Sequence, residues 1–207
     1  MKERPILFSG EMVRAILDGR KTQTRRAFYY PFPSDEFIGM DEFFGCAHAM
    51  FEHGDVCCPY GQVGDRLWVR EAWRTSSIYD HLSPCKIPTD ASLQFEADTS
   101  AIKYLGEHPG KIRPSIFMPR WASRITLEIV NVQAERVQNI SNDDAKAEGV
   151  IPEWDDFDHN SLHADYDGEQ AYRMAFERLW DSINAKRGVG WDANPHVWVI
   201  EFKAVQP

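Results

Sequence analysis

From Ser123 the sequence alternates, with Ile125, Leu127 and Ile129 on one side and Thr126 and Glu128 on the other. A period of two marks a strand with one buried face and one wet face. The other candidate strands do not recur at a fixed interval around it. Pro5 to Phe8 reads as a short strand. Ser9 then reads as an N-cap, Met12, Val13, Ile16 and Leu17 fall at helical spacing, and Gly19 is a natural stop. The Gly64-Asp65 turn leads into a strand over Arg66 to Trp73. Ser141 with Asp144 resembles a capping box and opens a helix over 142–148, closed by Gly149. The stripe Tyr172, Ala175, Phe176, Leu179, Trp180 and Ile183 predicts a helix over about 168–184. A last strand runs from His196 to Ala204, with Trp198, Ile200 and Phe202 on one face.

Such irregular spacing argues against a βαβ repeat. The expected class is α+β: a small, partly open β-barrel or strongly bent mixed sheet, with helices packed at its ends. The 207 residues fit one domain, 1–207, with insertions at about 27–62, 76–114 and 150–168. In the first insertion Phe28, Tyr29, Tyr30, Phe32, Phe37, Phe43 and Phe44 should be packed. The second is mixed and Pro-punctuated. No apolar run approaches the roughly 18–20 residues that span a bilayer. Nor does Met1-Lys2-Glu3-Arg4-Pro5 lead into a signal-peptide core. The expectation is a soluble, cytoplasmic monomer without a membrane partner or an identifiable protein partner.

The net charge of −9 argues at first against a polyanionic partner. Its distribution reverses that reading. Residues 141–169 hold ten acidic residues and one basic residue, while the two flanking regions are nearly neutral. A basic cluster of Arg14, Arg20, Lys21, Arg25 and Arg26 faces only Asp18 in sequence. A polyanion would meet one face of this molecule. The acidic stretch 150–168 reads as a solvated loop, or as a phosphate mimic lying over the basic cleft.

Cys46, Cys57, Cys58 and Cys85 are expected to be reduced thiols in a cytoplasmic chain. Cys46, His48, His53, Cys57 and Cys58 fall within thirteen residues, which could supply zinc ligands. However, there is no Cys-x-x-Cys and no His-x-x-x-His. The reading is a loop with buried thiols, with neither metal nor cofactor.

Gly19-Arg20-Lys21-Thr22-Gln23-Thr24-Arg25, after an amphipathic helix, resembles the G-x-K-x-x-T-x-R signature of the ASCH family of PUA-like domains. Gly64-Asp65-Arg66-Leu67, Asp144 to Gly149, and Val197 to Phe202 resemble further motifs of that family in the same order. Phage and prophage ASCH-like proteins of this size open and close with similar runs. The resemblance implies a partly open barrel with a nucleoside- or RNA-directed role. One small ASCH protein is a bacterial amidohydrolase that deacylates N(4)-acetylcytidine with a Lys, a Thr and a Glu. The positions that match here are Lys21, Thr24 and Glu148.

The chemistry of those residue types is coherent. A Thr hydroxyl needs a base beside it. A Lys serves as that base when burial or nearby positive charge lowers its pKa. A Glu can protonate the leaving amine or position water. The bland alternative makes Arg20, Arg25 and Arg26 a solvated cap favoured by the helix dipole.

A second reading is a non-catalytic RNA-binding module for a single strand. Arg66 and Arg70 would then form a phosphate-contacting ridge, and Arg120, Trp121 and Arg124 a stacking and phosphate group. Trp68, Trp73 and Trp121 could wall a base, whereas Trp180 and Trp198 read as core. A third reading is a ribonuclease using His48, His53, His81 and the acidic loop.

Overall fold

The computed structural model describes residues 1–30, 36–43, 46–98, 108–152 and 168–205. A five-stranded mixed sheet orders β1 (Glu3–Leu7), β6 (Arg66–Arg70), β9 (Thr126–Arg136), β10 (His196–Val205) and β2 (Gln23–Ala27) side by side. β1 and β6 run parallel, and every other neighbour in this sheet is antiparallel. The alternation after Ser123 becomes β9, with Leu127 and Ile129 fully buried. The two edge strands approach one another without joining as a ladder. Arg26 of β2 donates to the Leu7 carbonyl of β1 at 2.6 Å.

Helix α1 (Gly10–Leu17) covers one side of this sheet. Ser9 caps it as expected, accepting from the Met12 amide. Val13 and Ile16 join Ile6, Leu67, Val69, Leu127, Ile129, Trp198, Ile200 and Phe202 in one core. The opposite face of β10 presents Val197 and Val199 to a second core. There they meet Ala145 of α2 (Asn142–Ala147) and Phe176 and Trp180 of α3 (Gly168–Asn184). β10 is therefore apolar on both faces, as a strand covered on both sides must be. The architecture is α+β, and among the described residues no helix is long and apolar enough to cross a membrane.

Three expectations change. Residues 27–62, read as an ordered insertion without assigned strands, carry a second sheet, β3 (Phe37–Phe43), β4 (Cys46–Phe51) and β5 (Gly54–Cys57). Phe28 and Tyr30 pack on Phe51 there, but Tyr29 is 83% exposed. Phe32, Phe44 and the Phe43 side chain lie outside the described residues. The strand from Arg66 stops at Arg70; the Glu71 amide donates to Met118 Sδ and its carboxylate accepts from Arg124. The chain resumes as β7 (Trp73–Arg74), paired with β8 (Gln94–Phe95). Ile183 leaves its helical stripe for solvent at 45% exposure. Residues 153–167, most of the acidic stretch, lie outside the described residues.

Candidate functional site

The segment after α1 is pinned from two directions. The Arg20 and Lys21 amides both donate to the Ala15 carbonyl, and the Thr22 amide donates to the Ala147 carbonyl of α2. The end of α2 can come this close only because residue 149 lacks a side chain. Gly149 has φ +83°, and a Cβ there would stand 2.8 Å from Ala15 Cβ and 2.9 Å from Lys21 Cβ. Thr24 then enters the sheet opposite Ile200.

Lys21 is buried and gives all three ammonium protons to fixed acceptors. Nζ lies 2.7 Å from Glu148 Oε2, 2.8 Å from the Gln23 carbonyl and 2.9 Å from the Glu148 carbonyl. Burial pushes its pKa down from the ordinary lysine value. The charge on Glu148 opposes that shift, while Arg26 and Arg25 add to it. Glu148 is the C-cap of α2, where a carboxylate faces the negative end of the helix dipole. Lys21 and Arg25 compensate, with Arg25 Nη1 3.5 Å from Glu148 Oε1. That oxygen is buried and makes no hydrogen bond among the described residues.

Thr24, Arg25, Arg26, Tyr60, Glu148 and Phe176 line a cavity of about 110 Å³. A neighbouring cavity of about 540 Å³ shares Met12, Glu148 and Leu179 with it and adds Arg14, Arg20 and Arg178. Lys21 and Glu148 therefore touch, and Glu148 and Thr24 share a cavity. No hydrogen bond of Lys21 Nζ goes to Thr24. A solvated cap describes Arg20 alone, which is exposed and bonded to Asp18 and the Gly149 carbonyl. Arg25 is buried and held by Glu135 and Gln23. Arg26 lies 5.2 Å over the Phe8 ring. Sequence reasoning missed Gln23 and Glu135 as the supports of Arg25. Glu135 lies on β9 with no local motif to mark it.

The other basic residues sit along β6 and the chain after it. The Trp68 ring carries Arg70 at 4.5 Å and Arg120 at 5.9 Å, so guanidinium groups already occupy positions over it. Arg66 and Arg70 each keep a buried Nε with no hydrogen bond among the described residues. Arg70 pairs in register with Leu7, whose carbonyl holds Arg26, so the ridge reaches the Arg26 end of the cleft. Arg124 is engaged internally by two bonds each to Glu71 and Asp98, at 2.8–3.1 Å. Trp121 stands edge-on to Trp73. Trp73 is 1% exposed and belongs to a third apolar cluster, not to a stacking wall. Trp180 and Trp198 are core, as expected.

Cys46 and Cys57 are joined by a disulfide, which corrects the expectation of four reduced thiols. The cause is the hairpin that the sequence reading missed, which brings the two strands side by side. Cys58 is a free buried thiol, and burial pushes its pKa up to about 11. Cys85 is free and exposed.

No family model matches this chain, and no curated protein matches it. Among solved structures it is similar to the high-resolution crystal structure of an ASCH domain from Lactobacillus crispatus JV V101. The identity is 15%, over 98% of this chain and 79% of that one, with a TM-score of 0.37.

Proposed function

We propose that the chain is an ASCH-type, PUA-like partly open barrel that acts as an amidohydrolase on an N(4)-acylated cytosine or cytidine. The observation behind this reading is the buried Lys21–Glu148 pair, at 2.7 Å, beside a small cavity lined by both Glu148 and Thr24. At about 110 Å³ that cavity suits one planar ring, well below the roughly 300–1,000 Å³ of drug-sized pockets. The larger cavity that shares Glu148 gives room for the rest of a nucleoside.

In this reading Lys21 passes one proton to Glu148, turns from its present acceptors towards Thr24, and as the neutral amine takes the hydroxyl proton while Thr24 Oγ1 attacks the amide carbonyl. The amine leaves with a proton from the Lys21–Glu148 pair, and water then hydrolyses the acyl-Thr24 ester to release the acid. The lowered pKa of Lys21 is the direction a base requires. Incubation of the purified chain with N(4)-acetylcytidine should release acetate, and Thr24→Ala should abolish that release while the chain stays folded. Full activity in Thr24→Ala defeats the assignment.

A non-catalytic, single-strand RNA-binding role is the second reading. It is favoured by the guanidinium groups of Arg70 and Arg120 gathered over the Trp68 ring.

A further inference from the structure

The β4–β5 hairpin places three soft donors on one face. Side chains two apart on a strand share a face, so Cys46 and His48 lie together on β4. His48 pairs in register with Cys57 of β5, which brings the second cysteine to that face. Ala47, Ala49 and Phe51 point the other way, into the core, and so does Cys58, which is 1% exposed. The adjacent cysteines 57 and 58 are thereby sorted, one to each side.

Cys46 Sγ, Cys57 Sγ and a ring nitrogen of His48 lie within 4.8 Å of one another. His48 Nε2 is 3.0 Å from Cys46 Sγ. Its other ring nitrogen, Nδ1, is hydrogen-bonded to the Asp55 carboxylate. That is the arrangement in which a carboxylate holds an imidazole with Nε2 as the ligating atom. Cys46 and His48 are buried, while Cys57 is exposed.

We propose that the reduced hairpin is a zinc-type metal site with ligands Cys46 Sγ, Cys57 Sγ and His48 Nε2, and that the Cys46–Cys57 disulfide is its metal-free oxidised form. A dithiol reductant supplies two electrons and two protons, which break the S–S bond and leave two thiols. A divalent metal ion then displaces both thiol protons and binds the two thiolates and the imidazole. Two thiolates and one imidazole select zinc or cobalt over calcium or magnesium, which take oxygen donors. Zinc–sulfur and zinc–nitrogen bonds of about 2.3 and 2.0 Å hold tetrahedral donors roughly 3.5–3.8 Å apart. The Cα–Cα separation of 6.1 Å between Cys46 and Cys57 lets the sulfurs reach that spacing by side-chain rotation alone. The exposed Cys57 side leaves the fourth position to water or an added ligand. The absence of Cys-x-x-Cys does not count against this site, because strand register replaces the tight knuckle.

The test is a cobalt(II) titration of the full chain, followed by displacement with zinc. Dithiothreitol-reduced chain, freed of reductant under anaerobic conditions, should take up one metal ion. Visible d–d bands and near-ultraviolet thiolate-to-metal charge-transfer bands should report it. The oxidised chain should show neither. Cys46→Ser, Cys57→Ser and His48→Ala should each abolish or shift these bands. Asp55→Asn, at a half-exposed side chain that leaves the fold intact, should weaken binding about 10–100-fold. Cys85→Ser should bind as the unchanged chain does. Absence of bands in the reduced protein, or unaltered bands in His48→Ala, overturns the proposal.

Discussion

Lys21 and Glu148 meet in a buried ion pair, Nζ to Oε2 at 2.7 Å, across 127 residues of sequence. It ties the segment after α1 to the end of α2, and both cavities lie against it. Removing one partner leaves an uncompensated buried charge. Glu148→Ala should therefore destabilise the chain by about 3–5 kcal/mol. The double change Lys21→Met with Glu148→Leu should cost less than Glu148→Ala alone. Urea unfolding of the two variants checks the order.

Gly149 holds that contact open. Gly149→Ala meets both a positive φ and two Cβ atoms closer than 3 Å. Gly188 has a similar φ of +76°, with nothing within 4 Å of an added Cβ. Gly188→Ala should cost about 1 kcal/mol of backbone strain. Gly149→Ala should cost about 1–3 kcal/mol more, from overpacking. Equal denaturation midpoints for the two variants would remove the steric role.

His196 gives the fold a pH dependence. Burial pushes its pKa down to about 4 from 6.5, with Arg136 adding to the shift. Its ring stacks on Phe28 and meets the edge of Phe51. Between about 4 and 6.5 the unfolded chain binds a proton at this position that the folded chain does not. The stability contributed by the neutral ring is complete above pH 6.5 and is lost as pH falls through that window. Urea midpoints for the wild type should drop between pH 6.5 and 4. The drop should be shallower in His196→Gln.

Arg124 and Arg70 should separate structure from binding. Arg124→Ala strands Glu71, which is 1% exposed, and should cost about 3–5 kcal/mol of stability. Its effect on RNA affinity should be small. Arg70→Ala should leave stability nearly unchanged and weaken binding to single-stranded RNA. It should also reduce the slope of log affinity against log salt by roughly 0.7, the share of one single-strand phosphate. Filter binding at several salt concentrations, beside thermal melts, distinguishes the two residues.

The helices and the final strand were legible because their signals are local. Ser9 and Ser141 are caps, and the stripe through Phe176 and Trp180 repeats with helical period. The final strand, read from His196 to Ala204, runs one residue further, to Val205. The second sheet was not legible. Its core face on β4 is Ala47, Ala49 and Phe51, and its other face is Cys46, His48 and Met50. Small apolar residues against cysteine and methionine leave no clear period of two in hydropathy. At the candidate site, Lys21, Thr24 and Glu148 came from a family resemblance. Nothing in their own spacing brings Lys21 to Glu148. Glu135 reaches Arg25 from a strand 110 residues away, a relationship no local pattern encodes.

The position of β10 sets an order on biosynthesis. It lies between β9 and β2 and fills one side of each of the two larger cores, yet every other strand of the sheet precedes it in the chain. A nascent chain that ends before His196 has the edge strand β2 without its partner, and α3 without the wall formed by Val197 and Val199. The earlier segments must wait with apolar surface uncovered until this stretch leaves the ribosome. Slow translation through β10 would therefore lengthen the interval in which the chain depends on holding chaperones.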